Sequence, residues 1–173
     1  LWTRLQQNNI TYQPVRVDLR RVVDKSVKLF HLLFEQKQIK LVVEPEVDEI
    51  IAICDKDMVE FVFRNLLHNA LKFTPKKGTI TIAATVNERY SRIFIKDTGV
   101  GMSPELIRKI LEDNVSYTRL GTEEEKGTGI GLLMCKDFIE KNGGHLEMKA
   151  ENGTVVSFSI PTSETEVADS IVK

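Results

Sequence analysis

A chain of 173 residues fits one domain with a proper core, and its 42% hydrophobic and 28% charged residues are those of an ordinary globular protein. A net charge of −1 without any Lys/Arg stripe argues against a nucleic-acid partner. No apolar run approaches the roughly 20 residues of a membrane span, and no signal peptide is recognisable, which fits a cytoplasmic setting with no membrane contact.

Residues 1–16 mix Gln, Asn and aromatics around Pro14 without a sustained period, and read as the end of a preceding helix followed by a linker. Because Leu1 is not a Met, the sequence reads as a piece of a longer protein. Asp18 can cap a helix over about 19–37, with Val22, Val23, Ser26, Val27, Phe30, Leu33 and Phe34 inward. Lys40–Glu44 and Ile50–Cys54 are short apolar strands separated by a turn at Pro45. Asp55 then caps a second helix that Pro75 and Gly78 terminate. Thr79–Val86 and Arg92–Lys96 alternate like paired antiparallel strands joined through Asn87–Tyr90. Ser103-Pro104-Glu105 opens a short helix, since Ser caps, Pro suits the first turn and Glu favours the positive end of the dipole.

Residues 112–126 carry no period and include Gly121 and Glu123-Glu124-Glu125-Lys126, a solvated charge run within a loop of functional length. Gly131–Lys141 reads as a helix stopped by Gly143-Gly144. Leu146–Lys149 and Val155–Ile160 form a hairpin around Asn152-Gly153, and Pro161 precedes a loose tail over 162–173. Strands on one side and three helices on the other give a two-layer α/β sandwich of the α+β class. Cys54 and Cys135 lie inside apolar runs and read as reduced core thiols.

The most informative segment lies on the second helix. Asn65, Asn69 and Lys72 fall within an arc of roughly 60°, opposite the apolar Val59, Phe63, Leu66, Leu67, Ala70 and Leu71. Two amides and an ammonium aligned in this way suit a phosphate-bound metal ion, with Lys72 balancing anionic charge. Two glycine-rich segments follow, Asp97-Thr98-Gly99-Val100-Gly101-Met102 and Gly127-Thr128-Gly129-Ile130-Gly131-Leu132. Where a long loop enters a helix, glycines let the backbone approach a ligand, and helix-start N–H groups can hold phosphate oxygens. Asp97 ends an apolar strand, where its carboxylate can accept from an exocyclic amine. Asp97-Thr98-Gly99 is not half of an aspartic protease, because the chain offers no second carboxylate of that kind. The second glycine run has neither the spacing nor the βαβ setting of a dinucleotide fingerprint. His31 reads as a partly buried helix residue, His68 as helix surface roughly 100° from Asn69, and His145 as a strand start without a partner.

Taken together, these segments resemble the N, G1 and G2 boxes of the catalytic ATP-binding domain of bacterial sensor histidine kinases, in the GHKL superfamily. The likeness covers roughly residues 18–161, inside a catalytic domain expected at 17–161, and implies the Bergerat fold with a mixed, mostly antiparallel sheet. It implies ATP and Mg²⁺ as ligands, with Asn69 on Mg²⁺, Lys72 on a phosphate and Phe73 bordering the nucleoside. Asp97 would take the adenine amine, Gly99, Gly101 and Met102 would turn beside the base, and Thr154 would support it from below. Residues 112–126 would form a lid, and Lys126, Gly127, Thr128, Gly129, Ile130, Gly131 and Leu132 would surround the phosphates. Leu1–Gln7 would be the last turn of a helical dimerisation domain, and the family's phosphoacceptor histidine segment does not appear.

The implied reaction is transfer of the γ-phosphoryl group to a histidine on that helical domain, with a response-regulator receiver as the next partner and a homodimeric full-length protein. ATP-hydrolysing relatives carry a glutamate one turn before the metal-binding asparagine. Here that position is Asn65, whose amide is no base. The competing readings are another ATPase or serine kinase of the superfamily, or a domain that binds nucleotide without transferring it.

Overall fold

The computed structural model describes residues 12–44, 49–125 and 128–163. In chain order these form β1 (Pro14–Asp18), α1 (Leu19–Gln36), β2 (Lys40–Val43), β3 (Ile51–Asp55), α2 (Lys56–Phe73), β4 (Thr79–Val86), β5 (Tyr90–Asp97), α3 (Pro104–Leu111), α4 (Gly131–Lys141), β6 (His145–Ala150) and β7 (Thr154–Pro161). The helix and linker expected before residue 12, and the Pro45 turn, lie outside the described residues. A five-stranded sheet runs β2-β4-β5-β7-β6, with β2 parallel to β4 and the other neighbours antiparallel.

The caps are made by the residues that predict them. Asp18 accepts from Arg20 N at 3.0 Å, Asp55 accepts from Asp57 N and Met58 N at 3.1 Å each, and Ser103 accepts from Leu106 N at 3.2 Å. The Asn152-Gly153 turn closes β6 onto β7 with both residues at positive φ, 47° and 125°. The buried stripe of α2, including Phe63, Leu66, Leu67 and Leu71, packs beneath the inward rows Ile80 and Ile82 of β4 and Ile93 and Ile95 of β5. Each such fully buried side chain contributes about 1.5–3 kcal/mol. Cys54 and Cys135 are free and buried in this core, and burial pushes both thiols up to about 12, so neither is nucleophilic.

Five expectations are corrected. Residues 14–18, read as linker as far as 16, form β1, whose register on β3 pairs Pro14 with Asp55 and Asp18 with Ile51. A strand on a two-stranded sheet is held by its partner, which nothing within residues 14–18 announces. Tyr90 opens β5 instead of belonging to the turn, because Asn87 N donates to Tyr90 O and Asn87 Oδ1 accepts from Tyr90 N, a tighter closure. On α1 Phe34 is buried and Phe30 packs on the core as expected, but Leu33 is exposed, and Lys37, one turn on, is buried. His31 is likewise exposed, 3.3 Å from Glu35 one turn on. His145 is not isolated, since the Tyr90 ring lies across the sheet at 6.4 Å.

Candidate functional site

Period-two alternation in β5 puts Ser91, Ile93, Ile95 and Asp97 on the helix-facing side of the sheet. Asp97 is the last of them, so its carboxylate emerges where the apolar row ends. There a cleft of about 280 Å³ opens between α2, the ends of β5 and β7, the start of α3, the start of α4 and loop residues 117–119. Asn65, Asn69, Lys72, Phe73, Asp97, Gly101, Met102, Thr128, Gly129, Gly131, Leu132 and Thr154 all line it. Gly99 and Ile130 are the described candidates that do not: Gly99 lies behind Asp97, and Ile130 is exposed at the α4 start. Lys126 and Gly127 lie outside the described residues.

Asp97 is only 4% exposed. One oxygen, Oδ1, accepts from Gly99 N at 2.8 Å and from Thr154 N at 3.3 Å, which leaves Oδ2 to the cleft. Burial raises the carboxyl above its ordinary value, and the two backbone donors only partly offset that. The glycines here are required by contact. A Cβ on Gly99 would lie 2.4 Å from Phe73 O, and one on Gly153 would lie 2.0 Å from Asp97 O. The β6–β7 turn therefore presses directly on the strand end that carries the carboxylate.

On the opposite wall, the Asn65 amide is held by donating to Phe61 O at 3.0 Å, and its Oδ1 sits 3.0 Å from where a Gly131 Cβ would be. That close approach brings the first turn of α4 against α2. No side-chain cap bond is seen at the start of α4 among the described residues, and Gly131 and Leu132 of its first turn line the cleft, so the positive end of a helix dipole faces it. Lys72 is 5% exposed, with Nζ 5.1 Å from the Phe73 ring centroid, and no carboxylate among the described residues pairs with it. One wall thus carries a cation with no carboxylate partner among the described residues, an amide and a helix start, while the other carries a buried carboxylate.

His68 is exposed, as its angle on the helix suggests, and also lines the cleft. Its ring lies 5.9 Å from Phe30, and burial, then the Lys72 charge, holds its pKa below the ordinary value, so it is neutral near pH 7. Leu66, Ala70, Ile95, Leu106, Tyr117, Thr118, Arg119, Met148 and Val156 complete the lining. Ile95 and Val156 were legible, each two residues from a candidate on its own strand. Met148 follows from the hairpin register, which sets it opposite Val156. Leu106 and residues 117–119 carry no local signal.

A protein-family model described as histidine kinase-, DNA gyrase B- and HSP90-like ATPase matches residues 54–164. The chain belongs to this family. The sensor protein SrrB of Staphylococcus aureus is 34% identical over 112 residues, 65% of this chain, and the chain spans about a fifth of that protein's length (19%). The catalytic domain of histidine kinase ThkA superposes with a TM-score of 0.78 at 25% identity, covering 89% of this chain and 99% of that one. The mycobacterial sensor histidine kinase MprB shares the fold, with a TM-score of 0.70 at 24% identity over 86% of this chain and 97% of its own. The cleft is therefore that of an ATP-binding domain of the histidine-kinase type. Among the described residues no helix is long and apolar enough to cross a membrane.

The Asn69 amide on the cleft wall could give an ion such as Mg²⁺ one oxygen ligand, with phosphates and water completing the shell; among the described residues no group of three or more His, Cys, Asp or Glu could hold an ion alone.

Proposed function

We propose that this domain binds Mg-ATP in the cleft and supplies its γ-phosphoryl group to a histidine on a helical dimerisation domain of the same full-length protein, within a two-component signalling pair. The observation that carries the reading is the polarity of the cleft. A buried carboxylate faces the uncapped start of α4 and the unpaired Lys72, which matches a base with an exocyclic amine at one end and a polyphosphate at the other. Phosphoryl transfer asks a protein mainly for positioning and charge neutralisation. Asn69 would hold Mg²⁺, which would supply charge neutralisation at the phosphates. Lys72 and the N–H groups of Gly131 and Leu132 hold phosphate oxygens, while Phe73, Met102 and Thr154 border the nucleoside.

Asn65 supports transfer over hydrolysis, since its amide is spent on Phe61 O and offers no base to activate water. The full-length protein would be a homodimer acting on the cytoplasmic side, where ATP is available. A response-regulator receiver is the acceptor in the next step; histidine kinase ThkA has been solved in complex with the response regulator protein TrrA. Incubating the chain with γ-labelled ATP, Mg²⁺ and a histidine-bearing helical domain should label that domain. Mg-dependent ATP binding without any label in the acceptor would leave a nucleotide-binding domain and overturn the kinase assignment.

A further inference from the structure

Lys37 has no place in the site as described, yet its environment is unusual for a lysine. It follows α1 and is 4% exposed. Its Nζ donates to Leu71 O at 2.7 Å and Thr122 Oγ1 at 2.8 Å, with Lys72 O and Glu125 Oε1 each at 3.5 Å. Buried ammonium groups are retained only where acceptors surround them. Here the acceptors come from two otherwise separate segments, the last carbonyls of α2 and loop residues 122–125. A cation at the carbonyl end of α2 also complements the helix dipole.

The loop root is tied down by further bonds. Thr122 N donates to Lys72 O at 3.0 Å, Thr122 Oγ1 lies within 3.1–3.2 Å of Lys72 O and Thr74 O, and Gly121 N donates to Glu125 O at 2.9 Å. In the Glu123–Glu125 run, Glu123 and Glu124 are exposed as expected of a solvated stretch, with Glu123 3.1 Å from Lys76 at the surface, while Glu125 is drawn in to Lys37. Gly121 lies flat against Lys72: a Cβ there would be 2.6 Å from Lys72 Cγ. The chain of contacts runs from Lys37 through Thr122 and Glu125 to Gly121, and ends on the stem whose ammonium faces the cleft.

We infer that Lys37 is a positioning residue for phosphate binding, clamping the root of the lid against α2 so that Gly121 holds the Lys72 side chain towards the polyphosphate. This rests on the nucleotide reading of the cleft. It predicts a selective defect, because adenosine is bound by the Asp97 end and does not need Lys72.

The test compares ATP and adenosine binding, both with Mg²⁺, by calorimetry on the whole chain and on Lys37→Met, which keeps the stem and removes the ammonium. Amide exchange is followed at Thr122 in the same samples. Lys37→Met should weaken ATP about tenfold and adenosine less than twofold, and speed exchange at Thr122 about tenfold while α2 core amides keep their protection. Thr122→Val, a change at the loop alone, should shift the ATP-to-adenosine ratio the same way and decides the matter if Lys37→Met does not fold. An unchanged ratio, or a matched fall for both ligands, would overturn the positioning role. If the unmutated chain binds adenosine as tightly as ATP, or binds neither, the nucleotide reading itself falls and takes this one with it.

Discussion

Replacing Asp97 by Asn separates stability from binding in a way few cleft substitutions can. Asn keeps an oxygen where Oδ1 accepts from Gly99 N at 2.8 Å and Thr154 N at 3.3 Å, so the strand end stays closed. It puts an NH₂ group where Oδ2 faces the cleft, setting a donor against the adenine amine. The lost bond to a charged acceptor is worth about 1.5–3 kcal/mol, so ATP should bind roughly 10- to 150-fold more weakly. Guanine presents a carbonyl at that position, which the new NH₂ can meet, so the preference for ATP over GTP should narrow.

Stability moves the other way. The folded-state carboxyl titrates above its ordinary 3.8, so folding disfavours the ionised form. That penalty is absent below the unfolded value, grows as pH rises through the folded one, and is fully present at pH 7. Asp97→Asn removes it, and the nucleotide-free variant should melt higher than the parent at pH 7, with the advantage fading towards pH 4. Calorimetric titration with ATP and GTP, alongside melting curves from pH 4 to 8, reads both signs. A variant that loses ATP affinity and neutral-pH stability together would refute the reasoning, as would equal affinity of the parent for ATP and GTP.

Asn69→Ala should leave the fold intact and abolish the strengthening of ATP binding by Mg²⁺; titrations with and without the ion check it, and a preserved Mg²⁺ effect would exclude Asn69 as ligand. Mg-ATP at about 100 times its Kd adds about 2.7 kcal/mol, which for a chain of this size raises Tm by about 5–11 °C, whereas NAD should not shift it. Gly153→Ala combines a backbone at φ 125° with a Cβ 2.0 Å from Asp97 O, and should cost at least ~3 kcal/mol, seen as a lower urea midpoint. Residues 116–120 are exposed and no backbone bond from their N–H groups is seen among the described residues, while Thr122 is bonded to α2, so exchange should be fast across 116–120 and slow at Thr122, and an ATP analogue should slow the former more than ADP does.

What the sequence determined by itself was everything with a local cause. Asp18, Asp55 and Ser103 cap where they stand because a short polar side chain reaches an N–H two or three residues on. Asn65, Asn69 and Lys72 share a wall because helical periodicity admits no other arrangement, and the Asn152-Gly153 turn sets β6 on β7 through its own backbone preference. Tertiary structure alone decided which strands distant in sequence meet, because pairing β2 parallel to β4, or β1 to β3, leaves no mark within either segment. It also decided protonation and burial. Asp97 became a buried acceptor because β7 covered it, and Lys37 exchanged solvent for carbonyls because α2 and the lid root closed over it. Charge in a protein is a property of surroundings, and those are assembled only when distant segments pack.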